Sequence, residues 1–463
     1  MQHGWRAPAL VAILIGTSVL TLSAADPGGT FIGQGLVSGH DRDKSGLAGQ
    51  QICRESDPED CIDQATFGGF GSGLTFTGHD DVFLAVPDRG PFDGLTDVPY
   101  WDRFHFLYMT VNVGAPFPNI KTVLLDTRFF RNERNQHFVG DSSYFANDDR
   151  NTLRFDPEGV RVSKDGHFFV SDEYGPYLFK FDRQGRLIKR IPVPEKFLIA
   201  NPTDEVDDDG NSKELYPENN TFGRQANRGM EGLAITPDGR TLVGMMQNAL
   251  IQDHGLNDST PPGRLGVTAR IFTYDLQSGE SREYVYVLDG ISQGRGVNEI
   301  LAVNDHQFLV LERDNRTRVP TPPNDSQGPN NKKIYLIDLK QLGLTDVSDM
   351  DSLPASADDL GSIVKVEKRL FVDLLSQDYK IDATQMIKDV IAEKIEALAW
   401  GPNLPDGRHL LYVVSDNDLF PELPTQIYAF AIDGTAAGIT YQAQQLPGPL
   451  FPPGQVKKAL QEK

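Results

Sequence analysis

The sequence predicts an all-β protein folded as a β-propeller with loop insertions, with six blades expected and five or seven left open. Two observations predict this fold. Five segments of the 463-residue chain repeat one pattern: a polar motif, an apolar strand, a turn, a second apolar strand and another polar motif. Further apolar strands follow these hairpins, so the repeating unit has four antiparallel strands, as in a propeller blade.

The repeated hairpins begin 68 to 97 residues apart and cover residues 72–89, 158–173, 231–248, 299–314 and 396–418. The midpoint of each falls on Asp-Gly or a related turn signal, near residues 80, 165, 239, 305 and 406. Such residues are typical of tight hairpin turns. The polar motifs at the two ends of each hairpin should therefore lie side by side.

Third strands are predicted at residues 177–182, 270–275, 333–338 and 426–432, and a fourth at 283–288. We expect the N-terminal segment 28–37 to pair with the C-terminus and to complete a further blade, which gives the count of six. A pair of β-sandwiches is the competing fold, but it would not place five equivalent hairpins in series.

Residues 1–25 resemble a secretory signal, with Arg6, an apolar run over 9–22, and small residues before a cleavage site after Ala25. An uncleaved anchor is the alternative. The mature chain, 26–463, is expected to be a single domain with a core at about 33–432, secreted or periplasmic, without a membrane span. In an oxidising compartment, Cys53 and Cys61 should form one local disulfide.

The amino-acid composition limits the kinds of molecule that the protein is expected to bind. The chain has 65 acidic and 44 basic residues, a net charge of −21, and 39% hydrophobic residues. The apolar fraction excludes a disordered chain, and the negative charge disfavours nucleic acid as a partner. A monomer acting on a small molecule is expected.

The propeller geometry brings acidic residues together. If the first strand of each hairpin lines the central channel, Glu158, Glu231, Glu299 and Glu396 open onto one mouth, and the second strands end beside them. The flanking acids at that mouth are Asp88, Asp172, Glu312 and Asp416. Crowded carboxylates must gain protons, bases or a cation, and hard oxygen donors favour Ca²⁺, with Mg²⁺ as the alternative. These acids could instead cap turns around the channel.

Three further residues are catalytic candidates at the same mouth. Arg89 and Arg313 follow the terminal acids of their hairpins and could hold an anionic group of a substrate. Glu173 could accept a proton. Other chemistries lack support, because Ser72 does not have the spacing of a serine hydrolase and the nine histidines show no zinc-binding pattern.

Several motifs together resemble the phytase-like family named for the esterase-like activity of phytase. They are FDPEGV at 155–160, VSDEYGPY at 170–177, NRGMEGL at 227–233, PDRGP at 87–91 and KIEAL at 394–398. The resemblance covers about residues 33–432. It implies an exported β-propeller that hydrolyses phosphate or carboxyl esters.

The leading hypothesis is therefore an exported ester hydrolase that depends on a divalent metal and acts on small anionic phosphate esters, or on carboxylesters. A lactonase-type hydrolase is a second hypothesis. The third is a non-enzymatic secreted propeller that binds a glycan or a protein partner and uses calcium only for structure.

Overall fold

The structure, a computed structural model, describes residues 28–461 except 97, 144–152, 176, 204, 206, 208–211, 318–330, 382–390 and 447. The expected signal sequence lies outside the described residues. The strands are β1 (Thr30–Val37), β2 (Gln51–Arg54), β3 (Asp57–Asp63), β4 (Gly73–Phe76), β5 (Val82–Val86), β6 (Tyr100–Trp101), β7 (Arg103–Val111), β8 (Ile120–Phe129), β9 (Val139–Gly140), β10 (Pro157–Val162), β11 (Phe168–Asp172), β12 (Leu178–Phe181), β13 (Leu187–Ile191), β14 (Met230–Ile235), β15 (Thr241–Met246), β16 (Thr268–Asp275), β17 (Ser281–Val287), β18 (Gly296–Ala302), β19 (Gln307–Arg313), β20 (Lys332–Asp338), β21 (Lys368–Asp373), β22 (Ile395–Trp400), β23 (His409–Ser415) and β24 (Thr425–Ile432).

Helices are few in the described part of the chain. One α-helix, α1 (Pro453–Gln461), lies near the C-terminus. Short 3-10 turns occur at Glu195–Phe197, Lys213–Leu215, Ile251–Asp253, Ser292–Gly294 and Ala357–Asp359. None of the helices between residues 28 and 461 that the structure describes has the length and apolarity needed to cross a membrane.

Five four-stranded antiparallel sheets form the body of the molecule. Blade 1 contains β4, β5, β7 and β8, and blades 2, 3 and 4 contain β10–β13, β14–β17 and β18–β21 in sequence order. Blade 5 contains β22, β23, β24 and β1. The first strands of successive blades, β4, β10, β14, β18 and β22, contact one another in a closed ring. The predicted β-propeller is confirmed.

The expected count of six blades is wrong, because the described part of the chain forms five. The N-terminal strand does pair with the end of the chain, with Gly35 opposite Ile427 and Val37 opposite Thr425. However, β1 takes the outer position of blade 5 instead of starting a new sheet. The five innermost strands already close the ring, so no sixth blade is needed.

The predicted turns connect the inner two strands of each blade. Gly166 and Gly239 have φ of 78° and 67° in two of these turns. That left-handed backbone explains why glycine follows aspartate there. We call the end of the central channel where the inner strands begin the upper mouth, and the opposite end the lower mouth. Every hairpin therefore has its open end at the upper mouth and its turn at the lower mouth.

Aromatic side chains fill the space between blades 1 and 2. The rings of Phe104 and Phe168 are 5.0 Å apart, and those of Phe130 and Phe181 are 4.7 Å apart, between centroids. All four side chains are fully buried. Outside the blades, β2 and β3 form a small hairpin that carries the expected Cys53–Cys61 disulfide.

Candidate active site at the upper mouth

Irregular pairing at the start of the inner strands sets the direction of three glutamates. The register of blade 3 shifts between Met230 and Gly232, which leaves Glu231 unpaired. The same shift in blade 5 leaves Glu396 unpaired, and a shift in blade 2 includes Glu158. A bulge of this kind turns one side chain away from the alternation of the strand. All three glutamates line a single cavity at the upper mouth.

The second strands contribute a second set of residues to the same cavity. Asp88, Glu173 and Gln247 follow directly or closely after β5, β11 and β15, and Arg313 is the last residue of β19. The cavity is small, about 80 Å³. Its lining residues are Asp88, Arg89, Glu158, Glu173, Asn227, Arg228, Glu231, Gln247, Arg313, Asn315, Lys394 and Glu396. Seven of the eleven candidate residues from the sequence are among them.

Basic side chains pair with some of these acids. Arg89 Nη1 lies 3.0 Å from Asp156 Oδ2 and 3.8 Å from Glu173 Oε2. Arg313 forms an ion pair with Glu396, and Lys394 forms one with Asp418. Three basic side chains thus balance the negative charges of four acids in and around the cavity.

Two hydrogen-bonded carboxyl groups at the centre have opposite pKa shifts. Burial raises the pKa of Glu231 well above its ordinary value, and the charge of Glu173 and their hydrogen bond raise it further. Burial also opposes ionisation of Glu173, but Arg89 and the hydrogen bond with Glu231 outweigh it, so the pKa of Glu173 is lowered. These opposite directions favour a proton on Glu231 that is donated to the carboxylate of Glu173. Such a separation of pKa values is typical of an acid and base pair.

The remaining acids of the region resist ionisation. Burial, followed by the charges of Glu231 and Asp156, raises the pKa of Glu158 well above its ordinary value. Burial also raises the pKa of Asp88, to about 6, against the lowering effect of Arg89 and Lys394. Asp156, which is fully buried beneath the cavity, has a strongly raised pKa for the same reason, again opposed by Arg89.

Three carboxylates are close enough to share a metal ion. One oxygen each from Asp156, Glu158 and Glu173 lies within 4.8 Å of the other two. All three side chains are buried. Hard oxygen ligands at such spacing suit Ca²⁺ or Mg²⁺. A buried acidic cluster that could hold a metal is therefore present, and Asp156 is a member that sequence reasoning missed.

Four candidate residues do not line the cavity. Asp172 accepts hydrogen bonds from the backbone N–H groups of Asp156, Tyr174 and Gly175. Burial nevertheless raises its pKa to about 7. Its side chain caps the loop after β11, which was the alternative considered for these acids.

Glu312 and Asp416 are also occupied elsewhere. Glu312 accepts a hydrogen bond from the Tyr286 hydroxyl at 2.6 Å and pairs with Lys368 at 2.6 Å. Asp416 lies beside the cavity and accepts a hydrogen bond from Ser72 Oγ at 2.8 Å.

Glu299 does not take the position in blade 4 that Glu231 takes in blade 3. Sequence similarity aligns the two glutamates, but the strand pairing is offset from that alignment by one residue. In blade 4 the unpaired position is Asn298, and Glu299 lies opposite Leu311 as Gly232 lies opposite Met245. A shift of one residue turns a strand side chain to the other face. Glu299 consequently points down the channel, where its Oε2 is 2.8 Å from Arg161 Nη2.

Strand alternation could have identified two of the missed residues. Asp156 and Lys394 each precede a candidate glutamate by two positions, and residues two apart in an extended chain share a side. Arg228 and Asn227 precede Glu231 in a motif that the sequence already singled out, but no spacing rule assigned them a role. Gln247 was recognised as a hairpin end and not as a lining residue.

Comparisons with known proteins identify a matching family. The family model described as "Phytase-like: Esterase-like activity of phytase" matches residues 65–419. A protein of Arthroderma benhamiae (strain ATCC MYA-4681 / CBS 112371), named "Uncharacterized secreted protein", is 30% identical over 278 residues, which are 50% of this chain and 53% of that protein. The chain thus matches about half the length of this curated relative.

Similar solved structures include the calcium-binding protein regucalcin of Agrobacterium tumefaciens str. C58, with 9% identity, TM-score 0.32, and coverage of 92% of this chain and 100% of that one. The β-propeller domain of Myceliophteria thermophila Cps50 (Swd1) has 10% identity, TM-score 0.28, and coverage of 78% and 83%. At these TM-scores neither similarity bears on the activity of this chain. The family match spans most of the chain and includes the strands that build the upper mouth, and so the chain belongs to the phytase-like family with esterase-like activity of phytase.

Proposed function

We propose that the protein is an exported hydrolase of small anionic esters, with phosphate esters favoured over carboxylesters. The observation that carries this proposal is the hydrogen-bonded pair of Glu173 and Glu231, whose pKa values are shifted in opposite directions within a cavity lined by arginines. The family match supports hydrolysis as the reaction class. The secreted relative supports export.

The two carboxyl groups would divide the proton transfers. Glu173, which Arg89 keeps ionised, accepts a proton from the attacking water. Glu231 donates its proton to the leaving oxygen, directly or through a water molecule. The hydrogen bond between the two groups then lets the proton return from Glu173 to Glu231, which restores the starting state.

The arginines favour an anionic substrate. Arg228 and Arg313 both line the cavity, and the buried Nε–H of each has no acceptor among the described residues. A buried donor without an acceptor is costly, so an oxyanion that accepts these hydrogen bonds would bind favourably. A neutral lactone has no negatively charged oxygen to accept these hydrogen bonds. A lactonase-type activity is therefore the second candidate.

The donor set also fits a divalent cation. Asp156, Glu158 and Glu173 bring three buried carboxylates within reach of one ion, and no ion pair joins Glu158 or Glu231 to a base in the described part of the chain. When bound, a cation there supplies positive charge that acidifies water and polarises an ester oxygen. In its absence protons satisfy Glu158 and Glu231, as the raised pKa values of these two acids indicate.

The test is hydrolysis of p-nitrophenyl phosphate, bis-p-nitrophenyl phosphate, p-nitrophenyl acetate and a lactone panel, with Ca²⁺ and with a chelator. We expect Glu173→Gln and Glu231→Gln each to lower kcat by about 10²–10⁴. The exposed Glu280→Gln should leave kcat unchanged. Glu299→Gln should destabilise the fold, because it removes the ion pair with Arg161, but the folded protein should keep its rate of hydrolysis.

Turnover that survives both Glu173→Gln and Glu231→Gln would refute the assignment of these two residues. Binding of a glycan or protein without any turnover would favour the non-enzymatic alternative.

A further inference from the structure

A second and larger cavity lies at the lower mouth of the propeller. Its volume is about 450 Å³, which is within the range of small-molecule sites. Its walls are mainly apolar and aromatic, and they include Phe76, Ile235, Trp400, Tyr441 and Leu446. These residues come from the ends of the inner strands and from the segment after β24. The cavity therefore lies at the opposite end of the channel from Glu173 and Glu231.

The segment after β24 is fixed beneath the blades as one wall of this cavity. Gln442 N donates to Val303 O at 2.9 Å, and Gln444 Nε2 donates to Val162 O at 2.7 Å. Asn304 Nδ2 donates to Thr440 O at 2.9 Å. Bonds to two different blades hold the segment, so the wall is part of the folded structure.

Arg161 separates the two cavities. Its guanidinium donates to Leu74 O at 3.0 Å and to Ile300 O at 2.9 Å, and it pairs with Glu299. These partners belong to blades 1 and 4, so the side chain spans the channel. Arg161 also lines the lower cavity, and its buried Nε–H has no acceptor among the described residues.

The charges around the lower cavity disfavour anions. Among the described residues that line this cavity, Arg161 is the only basic one, and Glu299 already compensates its charge. Asp80 and Asp81 lie at the opening, in the hairpin turn between β4 and β5. A negatively charged ligand would meet these carboxylates without gaining a free cation.

We propose that the lower cavity is a second small-molecule site, which binds uncharged, largely aromatic or aliphatic molecules that carry one hydrogen-bond acceptor. The apolar body packs against Trp400 and Tyr441, and the acceptor takes the Nε–H of Arg161. This site is distinct from the ester site, because Arg161 and Glu299 block the channel between them.

Two naphthalene dyes of similar size test the proposal. Prodan is uncharged and has one ketone oxygen, whereas 8-anilinonaphthalene-1-sulfonate is an anion. With the full protein we expect prodan to bind one equivalent with blue-shifted emission, and to bind at least about tenfold more tightly than the sulfonate. Equal affinity for the two dyes would overturn the charge argument.

Variants locate the binding. Ala443 is exposed and lines the cavity, so Ala443→Trp should fill the opening and weaken prodan binding by about tenfold or more. Ala436→Trp, at an exposed alanine that does not line the cavity, is the matched control and should bind as the unmodified protein does. The Asp80→Asn, Asp81→Asn double variant should strengthen binding of the sulfonate dye.

Ester hydrolysis should be the same in Ala443→Trp as in the unmodified protein, which separates this site from the proposed active site. Prodan binding that Ala443→Trp and Ala436→Trp affect alike would refute the lower site. Loss of ester turnover in Glu231→Gln without any change in prodan binding would support two independent sites.

Discussion

At the scale of single residues, the upper mouth depends on how Arg89 divides its contacts. It lies 3.0 Å from Asp156 and 3.8 Å from Glu173, and these contacts favour ionised forms of both acids. No ion pair joins Glu231 to a base within the described residues, and its burial favours the protonated form. The difference between two neighbouring glutamates therefore follows from one guanidinium group.

This asymmetry predicts a bell-shaped dependence of kcat/KM on pH. The proposed mechanism needs Glu173 ionised and Glu231 protonated, so the rate should rise with pH through the lowered pKa of Glu173 and fall through the raised pKa of Glu231. Glu173→Gln should remove the rise at low pH and Glu231→Gln the fall at high pH. Glu280→Gln should keep both limbs. Profiles of the two cavity variants that retain both limbs would contradict the acid and base roles.

At the scale of strands, the sequence predicted the hairpins well because their signals are local. Asp165-Gly166 and Asp406-Gly407 both occupy turns, and their glycines have positive φ. The bulges were not predictable in the same way, because a shift of register is a relation between two strands. Glu299 shows the consequence: its neighbours in sequence match those of Glu231, but Asn298 takes the equivalent position.

The blade count failed for a related reason. The sequence contains the N-terminal strand, and its pairing with β24 was expected, but nothing local shows whether a strand starts a blade or completes one. The answer depends on ring closure, which the contact between β22 and β4 already provides. Cavity residues such as Arg228 and Gln247 were missed similarly, since blades distant in sequence bring them together.

Strand β1 gives a prediction at this scale. Removing residues 28–38 should expose the edge of β24 and weaken the packing of blade 5 against blade 1, because β1 also contacts β8. We expect a large loss of cooperative unfolding and aggregation of the truncated chain, measured by thermal denaturation and light scattering. Removing only residues 1–27 is the control and should preserve the transition. A truncated chain that melts like this control would show that β1 is dispensable for the stability of the propeller.

At the scale of the whole molecule, the structure concentrates buried acids on one side. Asp88, Asp156, Glu158 and Glu231 have raised pKa values, with burial as the largest cause in each. Behind them, Asp102 is fully buried, and neither of its carboxylate oxygens has a hydrogen-bond partner in the described part of the chain. Burial and then the charge of Asp156 raise its pKa strongly.

These shifts set the sign of the pH dependence of stability. Above the ordinary pKa of a carboxyl group, the unfolded chain has lost protons that the folded chain still holds. The folded state then binds more protons than the unfolded state, so the free energy of unfolding falls as pH rises. The fall begins near the ordinary carboxyl pKa, passes the value of about 6 for Asp88, and continues to the higher values of the other acids.

A divalent cation should reverse this loss, because it can replace the protons on Asp156 and Glu158 beside the ionised carboxylate of Glu173. We expect the Tm to be higher at pH 5 than at pH 8 in the presence of a chelator. Added Ca²⁺ should raise the Tm at pH 8 and have little effect at pH 5, where protons already occupy the carboxyl groups. Glu158→Gln should reduce the gain from Ca²⁺ at pH 8, whereas the exposed Glu280→Gln should not. A gain from Ca²⁺ that is equal at both pH values, or that persists in Glu158→Gln, would place the ion elsewhere in the protein.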